Sequence, residues 1–539
     1  MLRPLARSCT CTQRARDTRS HPDFEGSLLI WTHKLKGADW HDSAANAASR
    51  SFVPDGCSSS GSTADASSFQ AVTLQAGNQF ADFYPVAEKR GVYVNGGTCT
   101  SVGVGGCTLG GCFGSFSQKF GPSANNVLQA KVVLANGTLV TANKCTNQDL
   151  FWALRGGGAG YGVVVEWTMK TYKSPEYLTA AQYGGEIKSD DPDHIQAVAV
   201  EVLRAVNAAQ SQRGGYNGDI NVPYKGSGHF GFALSTYEGN ATQAAALFKG
   251  LDAWVKAADP AMRVSGAISS STTKKPANGS WLKCGAPEEQ CGLPWDDPHH
   301  DTEIGTEHLV SMSKWITRTA LEEGPGDAGL NKVAAGLLNV SAMAHAGLLA
   351  GLPGRVGIGM HKAQGGATEE VLADFNETSQ NPVLREAVGA IMSQWRVPSL
   401  PQLPASSTVL KTLWPRLQKY AITSKSDSLY ALCAAGAAGN ETAAVACLGR
   451  WEARIPSIVA ELTAMKSELL ARFPVTHGYS GSYWNEADYY EPNWQTSFWG
   501  EANYPKLLAV KQRYDPDGLF VCHHCVGSEL WSEDGNCKL

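Results

Sequence analysis

The chain has no uninterrupted apolar run of the roughly 18 residues that a membrane-spanning helix requires. It also lacks an excess of one charge. Its 45 Lys and Arg stand against 50 Asp and Glu, a formal net charge of −5. With a pI near 6.2, nothing provides a basic field for nucleic acid or an anionic membrane, and neither is expected as a partner. The start carries Arg3, Arg7, Arg14, Arg16 and Arg19 but no apolar core of the kind found in a secretory leader. No Gly-Lys-Ser/Thr follows a glycine loop, which excludes a Walker-type phosphate loop. No amphipathic pattern opens behind the densest glycine run, which excludes the strand, turn and helix of a nicotinamide-binding fingerprint.

That glycine run is the most informative stretch present. Between Val94 and Gly114 glycines crowd around Cys99, with Cys107 and Cys112 further along. Glycine gives up more backbone entropy on ordering than any other residue, so such a run implies close backbone approach or unusual dihedrals. A surface loop is the plain reading; a bed for a flat or anionic ligand, with a thiol in reach, is the sharper one.

At 539 residues the chain has room for roughly three domains. Asn136, Asn240, Asn278, Asn339, Asn376 and Asn440 head Asn-x-Ser/Thr sequons, and 14 cysteines include the close pairs Cys284/Cys291 and Cys433/Cys447. Together they favour an oxidising secretory route. The loop from Pro294 to Glu303 holds His299, His300 and several carboxylates, but no register fixes them as ligands, so it reads as a solvated loop. Cys522 and Cys525, with no second pair at zinc-ribbon spacing, read as disulfide partners, with Cys537 a further candidate. No metal is expected.

Short strands are expected at Leu28–Trp31, Ala71–Gly77 and Val92–Val94, with a helix between the last two through Phe80, Phe83, Tyr84 and Ala87, stopped at Gly91. Asn136-Gly137 predicts a two-residue hairpin turn with both residues at positive φ. Thr146 or Asn147 caps a predicted helix Asp149–Arg155, closed by Gly156 to Gly158. Val163 to Lys170 alternates as a half-buried strand. From about Pro175 the texture shifts to a second lobe. Near the end, Tyr483, Trp484, Tyr489, Tyr490, Trp494, Phe498 and Trp499 form an aromatic cluster that reads as core, or as a platform for a ring or sugar. A helix through Tyr504, Leu507, Leu508 and Lys511 follows, then an Asp515–Gly518 turn and a strand-like Leu519–Val521.

Taken in order, these strings resemble the berberine bridge enzyme-like flavoprotein oxidases of the vanillyl-alcohol oxidase superfamily. Gly97 to Gly106 resembles the family's cysteine-bearing flavin loop, and Lys119 to Asn126 the segment after it. Asp149 to Gly158, running into Tyr161 to Val164, is similar to the adenine-side segment. Ser311 to Arg318 resembles a substrate-domain strand, and Gly481 to Phe520 the segment that returns to cover the flavin.

The resemblance implies an α+β fold. A PCMH-type FAD-binding domain of two α+β subdomains, the first largely missing, would occupy 26–175 after an unassigned basic start at 1–25. An α/β substrate domain with an antiparallel sheet covered by helices would occupy 176–475, a returning segment 476–530 and a tail 531–539. It implies FAD, bound covalently through Cys99 and lined by Val102, Gly103, Val104, Gly105, Gly106, Gly110, Gly111, Asn125, Asn126, Gly162, Val163, Val164, Tyr483 and Asn485. Amides of Val102 to Gly106 would face the cofactor, those of Gly162 to Val164 its adenine side. Val102 would gate oxygen, and Tyr483, beside Asn485, would be a base or its partner, with a neighbouring positive charge or hydrogen bond bringing its pKa into working range.

The implied activity is oxidation of an alcohol or carbohydrate hydroxyl with O2 as acceptor, giving H2O2, by a secreted monomer. A small alcohol, a phenolic or an oligosaccharide would be the substrate. The alternatives are a non-catalytic secreted glycoprotein that keeps the fold, and a flavin dehydrogenase using another acceptor. Nothing before Gly26 resembles the family's pyrophosphate loop with its Gly-His pair, so an N-terminally truncated chain is expected. Where the family has a third glycine and then Tyr or His, this chain has Cys112 and Phe113, and Phe113 cannot exchange protons. Cys107 and Cys112 either pair or sit as small buried hydrophobes.

Overall fold

The computed structural model describes residues 9–10, 28–41, 52–57, 70–98, 102–223, 228–275, 308–345, 354–360, 362–396, 446, 481–486, 488, 491–532 and 537–539. Two antiparallel sheets organise them. The first contains β1 (Ala38–His41), β2 (Ala71–Gln75), β3 (Val127–Val133), β4 (Leu139–Asn143) and β5 (Val163–Lys170), in the order β1-β2-β5-β3-β4. Helix α1 (Phe80–Lys89) follows β2 and buries Phe80, Phe83, Tyr84 and Ala87, the face its spacing predicts; Gly91, at φ 69°, ends it. Helices α2 (Val104–Leu109) and α3 (Gln148–Leu154) complete this side.

Four local expectations are corrected. A short helix does open in the glycine run: α2 starts at Val104, because its buried Val104 and Leu109 pack into the same core as Phe80 and Trp167. At the Asn136-Gly137 turn only Gly137 has positive φ, and the loop closes wider, with Leu134 N–H donating to the Thr138 carbonyl at 2.9 Å. Asn147 precedes α3 but gives it no side-chain cap, since its amide donates to the Thr141 carbonyl. β5 does not alternate: Trp167, Thr168 and Met169 are all buried, as befits a central strand covered by α2 and the turn Ser123–Asn126.

The second sheet contains β6 (Tyr177–Ile187), β7 (Asp219–Asn221), β8 (His229–Tyr237), β9 (Val264–Lys274), β10 (His308–Thr317), β11 (Gly354–Gly359) and β12 (Ala387–Arg396). Their order is β9-β6-β8-β7-β11-β12-β10. Helices α4 (Pro192–Ser211), α5 (Lys249–Ala257) and α6 (Ala328–His345) cover one face. There Val198, Val202, Leu203 and Val206 of α4 join Phe230, Phe232 and Ile391 in one core. Each such side chain contributes about 1.5–3 kcal/mol by leaving water. On the other face of β6, Ala180, Gln182 and Gly184 are exposed. An open depression of about 660 Å³ lies there, lined by Gln182, Glu186, Asn221 and His229 among others.

The segment 481–532 packs back on the first sheet. Helix α7 (Tyr504–Tyr514) buries Leu507, Val510 and Tyr514 with Trp484, Phe498 and Trp499 in the core of the first sheet. The ammonium of Lys511, expected on the apolar face, is buried and donates to Asp515 and to the carbonyls of Gly160 and Phe520. Cys522 pairs with Cys525, and Cys537 is free and exposed among the described residues rather than a third partner. The two sheets meet at Gln118, whose amide donates to Gln210 and to the carbonyls of Met360 and Ala363.

Candidate active site

Tyr483 and Asn485 lie at the 3-10 turn Trp484–Glu486, where the returning segment crosses between the sheets. The Gly481 carbonyl accepts from Trp315 N–H of β10, while the turn faces the glycine run. Asn485 Nδ2 donates to the Cys107 carbonyl at 2.9 Å and to the Tyr483 hydroxyl at 2.7 Å, joining positions 378 residues apart. Its Oδ1 has no hydrogen-bond partner among the described residues. Phe113 meets the Tyr483 ring edge-on at 4.9 Å. Lys362 Nζ stands 5.8 Å from that ring's centroid and pairs with Glu486, both ends buried.

The Tyr483 phenol is pushed above its ordinary value, first by burial and then by the Glu486 charge. Hydrogen bonds from Asn485 and from the amides of Cys112 and Phe113 oppose that shift without cancelling it. The expectation of a phenol brought down into working range is therefore corrected: burial outweighs the donors around it.

The glycines explain how the turn comes so close. A Cβ on Gly110 would lie 2.3 Å from Asn485 Oδ1, one on Gly114 1.8 Å from the Gly96 carbonyl, and one on Gly105 2.6 Å from the Ala76 carbonyl. Much of the space left by missing side chains is therefore filled by protein. Gly103 is different, with only the Asn78 carbonyl at 4.0 Å. Val104 and Gly105 amides donate to the Asn78 and Ala76 carbonyls at 2.8 and 3.2 Å, so they do not face a phosphate as expected. Val163 and Val164 pair with Val133 and Val132 in the sheet, and a Cβ on Gly162 would strike Val132. Val102 is buried in the core, its carbonyl accepting from Phe80 N–H.

Asn125 and Asn126 take different parts. Asn126 Nδ2 donates to the carbonyls of Phe120, Gly121 and Pro122, and its Oδ1 accepts from Tyr172, so its side chain is committed to the loop. Asn125 Oδ1 accepts from Gln380 at 2.8 Å, but its Nδ2 has no partner among the described residues. Cys99 lies outside the described residues, as do Tyr489, Tyr490 and the 294–303 loop. Among the described residues no three His, Cys, Asp or Glu side chains gather as metal ligands.

Sequence reasoning missed Gln380, Lys362 and Glu486. Gln380 reaches from the second sheet's side to Asn125 and to Gly111, where a Cβ would meet its Oε1 at 2.9 Å. The available signal was four successive polar residues, Thr378 to Asn381, all buried, directly before Pro382. The expected aromatic platform is mostly core: Trp484, Phe498 and Trp499 are buried, and Trp494 packs on Trp499, Tyr504 and His524.

Comparison with known proteins gives the class. Residues 64–143 match the family model described as FAD binding domain, and residues 482–527 the one described as berberine and berberine like. An uncharacterized FAD-linked oxidoreductase of Arthroderma benhamiae is 25% identical over 94% of this chain and 70% of its own length. FAD-linked oxidoreductase apf9 of Gibberella fujikuroi is 26% identical, over 96% and 74%. Among solved structures, VAO-type flavoprotein MtVAO713 of Myceliophthora thermophila C1 superposes with TM-score 0.64 at 22% identity, covering 99% of this chain and 78% of that one. The glucooligosaccharide oxidase of Acremonium strictum gives 0.59 at 17%, covering 97% and 86%. The fold is thus the α+β fold of VAO-type flavoproteins, and the protein is a flavin-dependent oxidoreductase. Two segments of the chain thus match models of the FAD-binding and berberine-like kind, and over most of its length the chain is similar to FAD-linked oxidoreductases.

FAD is its cofactor, and the site fits it. Asn485 Oδ1 and Asn125 Nδ2 supply a buried acceptor and a buried donor that have no partner among the described residues. Such orphaned groups are costly unless a ligand answers them.

Proposed function

We propose that the protein oxidises an alcohol or carbohydrate hydroxyl to the carbonyl, with O2 as acceptor and H2O2 as the second product. When bound, FAD supplies the hydride acceptor and passes the electron pair to oxygen, chemistry that side chains lack. Once ionised, Tyr483 takes the hydroxyl proton, a role that its raised pKa confines to the alkaline side, while Asn485 fixes its phenol oxygen from 2.7 Å. Phe113 and Trp315 keep water from that oxygen, both being buried beside Tyr483. The observation that carries the reading is this Tyr483–Asn485 pair, held against the glycine run beside two unanswered polar atoms.

Cys99 is proposed as a covalent tether and Val102 as the oxygen gate. One solved glucooligosaccharide oxidase is described with a 6-S-cysteinyl, 8α-N1-histidyl FAD, which supports a cysteine link here. Oligosaccharides are favoured over small alcohols and phenolics, since a carbohydrate oxidase of Microdochium nivale is also a structural neighbour. Secretion is supported by the Cys57–Cys145 and Cys107–Cys112 bridges and by exposed sequons at Asn136, Asn240 and Asn376. No helix among the described residues is long and apolar enough to cross a membrane.

Purified protein should absorb near 450 nm, keep that absorbance through acid precipitation, and form peroxide with an oligosaccharide. A colourless preparation overturns the reading in favour of a non-catalytic glycoprotein. Dye reduction without peroxide overturns the oxygen part.

A further inference from the structure

The Cys107–Cys112 bridge lies beside the site, and the proposed reaction does not use it. Both cysteines are buried, at 5% and 0% exposure, so the bridge is not presented to solvent. It closes a loop of only five-residue separation between the end of α2 and Phe113. That loop is held on several sides. Its Leu109, Gly111 and Cys112 carbonyls accept from Gly158, Ala124 and Ser123 N–H at 3.0, 3.0 and 2.9 Å. Gly111 and Cys112 both have positive φ, 113° and 61°, the latter a region that L side chains rarely enter.

Such a turn can aim successive backbone N–H groups at one point, forming a small anion-binding concavity. Here the point is the Tyr483 oxygen, approached by the amides of Cys112 and Phe113 and by Asn485 Nδ2, which is itself anchored on the Cys107 carbonyl. Each end of the disulfide therefore carries part of the cradle: Cys107 holds Asn485, and Cys112 presents its amide. We propose that the Cys107–Cys112 disulfide is a positioning device that locks these donors around the Tyr483 oxygen, building an acceptor-stabilising pocket for its phenolate. The inference rests on the reading of Tyr483 as proton acceptor. Among the described residues the charged groups facing Tyr483 are Glu486 and Lys362, paired with each other, and beyond them the Lys314–Glu491 pair.

The test uses the holoenzyme with 3-fluorotyrosine at position 483, whose 19F resonance reports phenol ionisation whether or not a substrate is turned over. Cys107→Ser/Cys112→Ser should raise the ionisation midpoint by about one pH unit, the effect of a lost donor to a charged oxygen. The pH limb of flavin reduction by substrate should move up by the same amount with KM unchanged. Cys107→Ser/Cys112→Gly, which suits the left-handed position, guards against misfolding and should shift in the same direction. An unchanged midpoint in a folded bridge-free variant overturns the inference. A wild type that reduces no flavin with any alcohol overturns the functional reading instead, and the 19F result stands separately.

Discussion

The two sheets differ in what a side chain added to them would meet. On the cofactor side a Cβ at Gly96, Gly105, Gly110 or Gly114 runs into protein within 2.6 Å; on the exposed face of β6 a Cβ at Gly184 meets nothing within 4 Å. Both family matches fall on the cofactor side, at 64–143 and 482–527, and the second sheet lies between them in sequence. One region is shaped by backbone packed on backbone around a fixed cofactor. The other presents an open sheet face. In the β9-β6-β8-β7-β11-β12-β10 order, the β6 depression is five strands from β10, roughly 24 Å from the strand that touches the Tyr483 turn. Only an extended substrate would engage both.

The sharpest break of this contrast is Gly114→Ala. Its Cβ would lie 1.8 Å from the Gly96 carbonyl, and both partners are backbone, so neither can step aside. A loss of about 3 kcal/mol or more is expected, with loss of bound FAD. Thermal melting and the ratio of absorbance at 450 to 280 nm check it; a stable yellow variant would show that the run is not close-packed.

Lys314→Met comes next. Lys314 pairs with Glu491, which is 1% exposed and also accepts from Ser482 and Ser497. Removing the ammonium leaves a buried carboxylate without its counter-charge, a cost of about 3–5 kcal/mol. Urea unfolding of Lys314→Met against Lys314→Met/Glu491→Gln measures it, and the double variant should recover most of the loss.

Buried tyrosines on the two sides should separate in alkali. Burial raises Tyr161 well above the ordinary phenol value, whereas Tyr183 of β6 is pushed up to about 12. Below about pH 10 both folded and unfolded phenols keep their protons, and stability does not depend on them. Above it the unfolded chain ionises first, so stability falls by about 1.4 kcal/mol per pH unit for each tyrosine until the folded group titrates too. Tyr183→Phe should flatten the decline only up to about pH 12, and Tyr161→Phe further. Urea midpoints across that range give the slopes; equal slopes in both variants would erase the difference.

The periodic and motif-bearing parts of this picture were legible in the chain. Phe80, Phe83, Tyr84 and Ala87 mark α1, and the joint order of the glycine run, the Asp149–Gly158 string and the Gly481–Phe520 string marks the family. What failed was local and had a tertiary cause. Val104 and Gly105 amides looked available because a sequence does not show the Asn78 and Ala76 carbonyls that take them. Asn147 looked like a cap because Thr141 is distant in pattern though adjacent in space. Lys362 and Gln380 carry no motif, and only the fold brings Lys362 from beyond β11 to Glu486 and the Tyr483 ring, and Gln380 to Asn125.

The smallest expected effect has the opposite sign to the first. Gly184 lies in the middle of β6, opposite Gly231 and Ala267, and its φ is not left-handed. Alanine there meets no atom, keeps the ladder and removes freedom from the unfolded chain, so Gly184→Ala should stabilise by about 0.5 kcal/mol. The same methyl partly fills the depression between Gln182 and Glu186. If long oligosaccharides reach it, KM for them should rise while KM for a monosaccharide stays put; equal KM changes for both would confine the substrate to the Tyr483 end. Gly114 and Gly184 then measure the same substitution in two settings, and the difference between them reads how much of each region is closed by the protein itself.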